Sequence, residues 1–426
     1  MRLKISIIAL AALFYSGCQG PGIGGSSSSW SGSQKEEFIN ILNEDRYSSV
    51  CDLQPMINQY KQTKDDKILT KLLYRYSENL ANSCIDIPAF KRALRAKSDK
   101  AVYEVYEEYV SNSDIAAKLK SGASVDTILQ AYAPATPQFQ ALINAYNASA
   151  SPTEQYKIKL NIERTKILKP TGWDGTYIVV NVPEFKFRLY ENGQKSLEFN
   201  VITGKPSWPT PIFSSIMKYI TVNPTWNVPD NIARKEEIPK IIRDKSYLKR
   251  HNMVVKKDYG LDSPTVNPNK VNWKEYLKPE WANKDLPYKI IEQASKRNAL
   301  GVVKFIFPNR HSVYMHDTPN KRLFSRQVRA FSHGCIRLQK PLKLLGHIST
   351  FYTTQNFDEV GGILKAKKTK YVNLKQKIPV HITYLTRYAD DGMLIRGVDI
   401  YGYDKITKLK IPTTMVETAP AETTKK

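Results

Sequence analysis

Two common metal-site patterns are missing from this sequence. Among four cysteines and six histidines in 426 residues there is no C-x-x-C and no H-x-x-x-H pair, the short spacings on which structural zinc sites are usually built. No metal is therefore expected, although His311, His316, His333 and Cys335 crowd together. The opening MRLKISIIALAALFYSGC lacks the length of a membrane span: a basic start leads into about ten apolar residues, where a spanning helix needs about 20. Residues 1–17 thus read as an export signal. Acid is the third shortage. Asp and Glu number 40 against 64 Lys and Arg, a formal charge of +24 that attracts polyanions of any kind. The export signal argues against nucleic acid as the partner.

What is present is concentrated in SVYMHDTPNKRLFSRQVRAFSHGCIRL, residues 312–338. A thiol becomes a useful nucleophile when a nearby imidazole takes its proton or stabilises its thiolate. His316 and Cys335, nineteen residues apart, supply such a pair. Ser332-His333-Gly334-Cys335 puts a glycine directly before the thiol, where a tight turn aims backbone N–H groups at an oxyanion. The bland alternative is a buried cysteine acting as a small hydrophobe.

Residues 18–34 form a Gly- and Ser-rich tether by composition. From 35 to 169 the apolar period is helical, as in Phe38, Ile39, Ile41 and Leu42 or Leu69, Leu72, Leu73 and Tyr76. Thr136-Pro137 and Ser151-Pro152-Thr153-Glu154 mark helix starts. This region reads as a helical scaffold with no chemistry of its own. From 176 the period changes to two: Phe185, Phe187 and Leu189 alternate with polar neighbours, Asn192-Gly193 turns, and Leu197, Phe199 and Val201 alternate again, a β-hairpin. Further strands are expected over 216–222, 302–307 and 312–316, and a last hairpin joining 380–384 to 394–398 around Asp391-Gly392. The fold class is α+β, with a mainly β, sandwich-like or closed-sheet unit over 170–412. Between 229 and 299 the alternation lapses into a Lys-rich, partly helical insertion, and 413–426 reads as a disordered tail. Cys51 and Cys84 remain as an even pair, either a disulfide or two buried thiols.

HDTP followed by SHGCIR resembles the signature of the L,D-transpeptidases, the YkuD-type cysteine enzymes of bacterial cell-wall synthesis. The likeness extends through NIERTKIL, YIVVNVPEFKFRLYENG, NPTWNVPDNIARKE, NALGVVKFIFPN and VYMHDTP, over roughly residues 125–405, as in the larger multidomain members. The resemblance implies that Cys335, as a thiolate, attacks the carbonyl of the third stem residue and expels D-alanine. Backbone N–H groups near Gly334 and Cys335 would hold the oxyanion. His316 would protonate the leaving amine and then take a proton from the acceptor. Asp317 is a candidate orienter of His316, through its carbonyl or its carboxylate. Arg337, Tyr314, Ser332, His333 and Trp226 are candidates for binding substrate, Arg337 first because a guanidinium matches a carboxylate as a fork.

The same resemblance makes the 229–299 insertion a capping subdomain that excludes water, favouring transfer over hydrolysis. The peptidoglycan-binding module that larger relatives carry before the NIER segment has no room here. No cofactor is implied. Tyr103, Tyr106 and Tyr109 are an aromatic series that packs between helices or touches glycan. The acceptor decides the outcome: a stem amine gives a 3-3 cross-link, a lipoprotein lysine an anchored protein, water an L,D-carboxypeptidase. The scaffold and insertion favour cross-linking. The opposed class is a wall-binding structural lipoprotein, against which the presence of both His316 and Cys335 argues. Tyr15-Ser16-Gly17-Cys18 resembles a bacterial lipobox, with Tyr15 where Leu is usual. A periplasmic monomer carrying lipid on Cys18, in the inner or outer membrane, is the resulting expectation. Anionic lipid heads, lipopolysaccharide and stem carboxylates are the anions its charge suits.

Overall fold

The computed structural model describes residues 30–260, 262–282 and 284–410. The signal over 1–17, Cys18 and the tail over 413–426 lie outside them. Eight helices come first: α1 (Gly32–Glu44), α2 (Gln54–Thr63), α3 (Asp66–Asn82), α4 (Ile87–Lys97), α5 (Asn112–Lys120), α6 (Val125–Gln130), α7 (Gln138–Ala148) and α8 (Pro152–Thr165). Their starts follow local chemistry. Ser31 and Gln34 form a capping box on α1, and the Asp65, Asp86, Ser111 and Ser151 side chains accept from the first turns they precede. The stripe expected in the sequence is the core: Phe38, Ile41, Leu69, Leu72, Leu73, Tyr76 and Leu142 are buried together. Trp30 is buried too and stacks on Phe38 with centroids 5.8 Å apart, so ordered packing begins inside the stretch assigned to the tether.

Cys51 and Cys84 are joined by a disulfide, their Cα atoms 5.7 Å apart. Beside it lies a buried ion pair, Glu163 with Lys166, at 2.9 Å. Glu163 also accepts from the Cys84 N–H at 2.6 Å, and Lys166 donates to the Ser48 carbonyl at 2.6 Å. The pair is satisfied on both sides, which a buried charge requires.

The strands of the main sheet are β1 (Thr176–Asn181), β2 (Lys186–Glu191), β3 (Gln194–Gly204), β4 (Phe213–Val222), then, after the insertion's β5 (Trp226–Asn227), β6 (Met253–Lys256) and β7 (Lys289–Glu292), β8 (Val303–Ile306), β9 (Met315–His316), β10 (Ala330–Ser332), β11 (Ile336–Leu338) and β12 (Lys370–Thr383). They run in the order β10-β3-β11-β9-β8-β4-β12-β1-β2, and β2 pairs back onto β3, which closes the sheet on itself. The Asn192-Gly193 hairpin is observed, with Phe187 opposite Phe199 and Leu189 opposite Leu197. Its turn needs positive φ, and both residues have it. The expected last hairpin is corrected. Residues 380–383 end β12, which lies parallel to β1 and antiparallel to β4. Asp391-Gly392 instead turns between β13 (Arg387–Asp390) and β14 (Met393–Arg396). Both segments are strands, but a buried strand flanked by two partners has no further edge for a hairpin mate.

The helical unit is keyed by polar contacts to the chain that follows the main sheet, the β13–β14 hairpin and the short helix after it. Arg164 of α8 pairs with Asp404 at 2.5 Å, Gln138 of α7 donates to the Ala389 carbonyl at 2.8 Å, and Arg387 meets Glu154 at 2.7 Å. The insertion has its own core of Val228, Ile238, Val255, Trp273 and Ile290 under a small sheet ordered β5-β7-β6. Its helical part begins with α9 (Asp230–Ile232), a π turn over Ala233–Glu237 and α10 (Ile238–Arg243).

Candidate active site

Strand β9 lies antiparallel to β8 and parallel to β11, and the register sets Lys304 and Arg337 on either side of His316. Directly opposed residues on neighbouring strands project to the same face, so Lys304, His316 and Arg337 form a row. Tyr314, two residues before His316, shares that face, its ring 5.6 Å from the imidazole, with Lys304 Nζ 4.5 Å above it. Cys335 immediately precedes β11. Together these residues line a cavity of about 720 Å³ that Trp226, Glu236 and Tyr259 flank from the insertion side.

His316 is buried, and its Nδ1 lies 2.5 Å from the Asp317 carbonyl oxygen. A carbonyl can only accept, so Nδ1 carries the hydrogen and Nε2 the lone pair. Asp317 therefore orients the ring through its carbonyl. Its carboxylate has other work: it accepts from the Thr318 N–H at 2.7 Å and the Val302 N–H at 3.0 Å, and it pairs with Lys321. Gly301, at φ +60°, makes room for this, since a Cβ there would lie 2.2 Å from Asp317 Oδ2.

Burial pushes His316 down to about 3, and the Arg337 and Lys304 cations push the same way. Cys335 keeps a partly exposed edge, yet protein atoms crowd its thiol enough to raise its pKa, against the opposing pull of Tyr314, Lys304 and Arg337. The thiol donates to the Ser312 carbonyl at 3.8 Å. Both shifts favour the uncharged forms, thiol and imidazole, because desolvation outweighs the neighbouring cations.

The turn before Cys335 is also more internally bonded than its sequence indicates. Gly334 adopts φ +112°, and its N–H donates to Ser332 Oγ at 3.2 Å. Ser332 Oγ in turn donates to the Cys335 carbonyl at 2.5 Å. Ser332 is buried at the edge of the cavity and braces the turn, and the Gly334 N–H already has a partner. The Cys335 N–H has none among the described residues.

His333 Nε2 donates to Glu236 Oε1 at 2.6 Å, which ties the turn to the insertion. Trp226 sits half-buried on β5, opposite Glu292, with one side on the cavity. Arg337 also lines the cavity, and its Nε is buried without a partner. Of the tyrosines between α4 and α5, Tyr103 is buried against Phe90, Tyr106 bonds Glu104 at 2.9 Å, and Tyr109 is exposed. Lys304, Ser312, Trp208 and Glu236 were missed from sequence. A lysine on the polar side of a strand looks like a solvated residue; only the prolines around Trp208 in KPSWPTP hinted at a shaped loop.

Residues 175–376 match the family model of the L,D-transpeptidase catalytic domain, YkuD. A Haemophilus influenzae protein provisionally named as an L,D-transpeptidase is 33% identical over 256 residues, which is 58% of this chain and 48% of that protein. The chain thus spans about half the length of the curated relative it matches. Among solved structures, L,D-transpeptidase 3 from Mycobacterium tuberculosis is 10% identical over 49% of this chain and 61% of its own, with a TM-score of 0.22. An Enterococcus faecium L,D-transpeptidase is 11% identical over 70% of this chain and 99% of its own, with a TM-score of 0.20. At such scores the structural likeness carries no argument.

Proposed function

We propose, on the match of residues 175–376 to the YkuD family model, that the chain is a peptidoglycan L,D-transpeptidase that forms 3-3 cross-links through an acyl-enzyme on Cys335. The observation that supports this most is the pairing of β9 with β11, which brings His316 and Cys335 to one cavity with the His316 lone pair on Nε2.

The neutral pair sets the order of events. As Cys335 Sγ attacks the carbonyl of the third stem residue, His316 Nε2 takes the thiol proton, so attack and deprotonation are coupled. The negative charge that develops on the carbonyl oxygen is met by the free Cys335 N–H and by the cations of the row. Collapse breaks the amide bond. The protonated His316 gives its proton to the departing D-alanine nitrogen, leaving a thioester and a neutral imidazole. The acceptor amine of a second stem then attacks the thioester, His316 takes its proton, and collapse releases the cross-linked product. The expelled thiolate recovers the proton from His316, which restores the starting state.

Cys335→Ala tests this directly. Wild-type chain given a disaccharide-tetrapeptide should yield a dimer lacking one D-alanine by mass spectrometry, and the variant should yield neither dimer nor acyl-enzyme. A tripeptide alone would make the protein a carboxypeptidase, and turnover by the variant would remove Cys335 from the mechanism. We also place the enzyme in the periplasm, held by lipid on Cys18. Among the described residues no helix is long and apolar enough to cross a membrane, so an anchor would have to come from elsewhere. Cys18→Ser should release the protein from membranes, and unchanged fractionation would remove the anchor.

A further inference from the structure

Two lysines converge on Trp208 and a third reaches the histidine beside it, each from a different part of the chain. Lys100, between α4 and α5, holds its Nζ 3.5 Å from the indole centroid. Lys235, in the π turn of the insertion, stands 5.2 Å from the same ring. Lys205, in the loop after β3, places its Nζ 3.3 Å from His333 Nε2, and the His333 ring lies edge-on to Trp208 at 5.2 Å. An indole face attracts cations. It does not neutralise them: among the described residues none of the three forms a carboxylate ion pair, the nearby acids being Asp99, which acts on Lys100 without a salt bridge, and Glu236, which is bound to His333. Burial and the nearby Lys235 ammonium hold Lys100 below its ordinary range. Like charges gathered in this way repel one another unless an anion joins them.

Lys100 and Trp208 line the same cavity as Cys335, and the only acid in that lining is Glu236, which is bound to His333. The cavity lining thus carries cations at two places: Arg337 with Lys304 beside Cys335, and Lys100 on Trp208, with Lys235 and Lys205 close to Trp208 and His333 but outside the lining. We propose that Lys100, Lys205 and Lys235 around Trp208 form a second carboxylate subsite, which takes a carboxylate of the peptide substrate remote from the bond being broken. This rests on the peptide-acyl reading above. It gives two regions outside the catalytic sheet a direct part in binding: the segment before α5 supplies Lys100, and the insertion supplies Lys235. The indole serves as the apolar floor that fixes their stems, and substrate supplies the missing charge. Arg337 alone would hold one end of a peptide; two poles also set its direction across Cys335.

The test compares a disaccharide-tetrapeptide with the same molecule whose internal carboxylates are converted to amides, using the full chain and a variant carrying Lys100→Gln and Lys235→Gln. For the carboxylate peptide the variant should raise KM by about tenfold, with a much smaller effect on kcat. For the amide peptide, wild type should already show the raised KM, and the variant should add nothing further. Equal effects on both peptides, or no effect on either, overturn the subsite. A wild type that turns over neither peptide overturns the peptide-acyl reading and the subsite together, whereas turnover with unaltered variants overturns the subsite alone. The amide peptide also controls for folding, because a misfolded variant would lose turnover of both.

Discussion

Arg337 and His316 stand opposite one another across the parallel pairing of β11 with β9, so a permanent cation borders the group proposed as the base. That contact adds to burial in holding the imidazole neutral, down to about 3. The same guanidinium has a buried Nε without a partner and faces the cavity. Its two effects are separable by experiment. Arg337→Met should raise KM for a carboxylate-bearing peptide by at least about tenfold and move the acid limb of kcat/KM upward. A raised KM with an unmoved limb would leave Arg337 a binding role only.

The wild-type pH profile has its own signature. Protonation of His316 removes the base, and with its pKa near 3 the acid limb should fall far below the ordinary histidine value of about 6.5. kcat/KM should be flat from neutrality through pH 5, measured on wild type over the range in which it stays folded. A half-drop near pH 6.5 would show that His316 is not the neutral, buried base described.

Acid stability should report another histidine. His381 donates from Nε2 to the Gly172 carbonyl at 2.7 Å and lies 2.8 Å from Ser214 Oγ, and burial lowers it to about 4. The unfolded residue titrates near 6.5, so below that pH the unfolded state binds the additional proton. The contribution is complete above about pH 6.5 and is lost as pH falls towards 4, a matter of about 3 kcal/mol. Tm against pH should be steeper for wild type than for His381→Gln, and parallel curves would refute this.

Gly301→Ala places a Cβ 2.2 Å from Asp317 Oδ2 at a residue with φ +60°. The Asp317 carbonyl anchors His316, so the shift should cost about 1–3 kcal/mol of stability and lower kcat more than it raises KM. Denaturant unfolding and steady-state kinetics together check this; a variant of wild-type stability and kcat would show that the loop gives way harmlessly.

The bridge between Cys51 and Cys84 closes a loop with a sequence separation of 33. Replacing both by serine should remove about 3 kcal/mol of stability, seen as a lower Tm, while kcat at low temperature is retained because the bridge lies in the helical unit. An unchanged Tm in the double variant would leave the bond without a stabilising part.

Local chemistry was legible without the fold. The helical stripe around Leu69, Leu72 and Leu73, the Ser151 cap and the Asn192-Gly193 turn are written in neighbouring residues and appear where their spacing puts them. The pair proposed as reactive stands out for the same reason: few residue types can supply a nucleophile and its base, and His316 and Cys335 are set in a short motif that the fold brings to one cavity. Packing over long separations decided the rest. Residues 380–383 look the same as a hairpin arm or as a central strand, and only the partners β1 and β4 distinguish them. The Gly334 N–H, the Ser332 hydroxyl and the neutral state of His316 depend on burial and on atoms brought in by the turn. The lysines around Trp208 and His333 come from positions 100, 205 and 235, and no sequence period links them. Sequence determined which chemical groups were available and which local shapes they favoured. Tertiary structure decided which of them meet, which hydrogen bonds are already made, and which charges survive desolvation, because each of those depends on distances that only the folded chain creates.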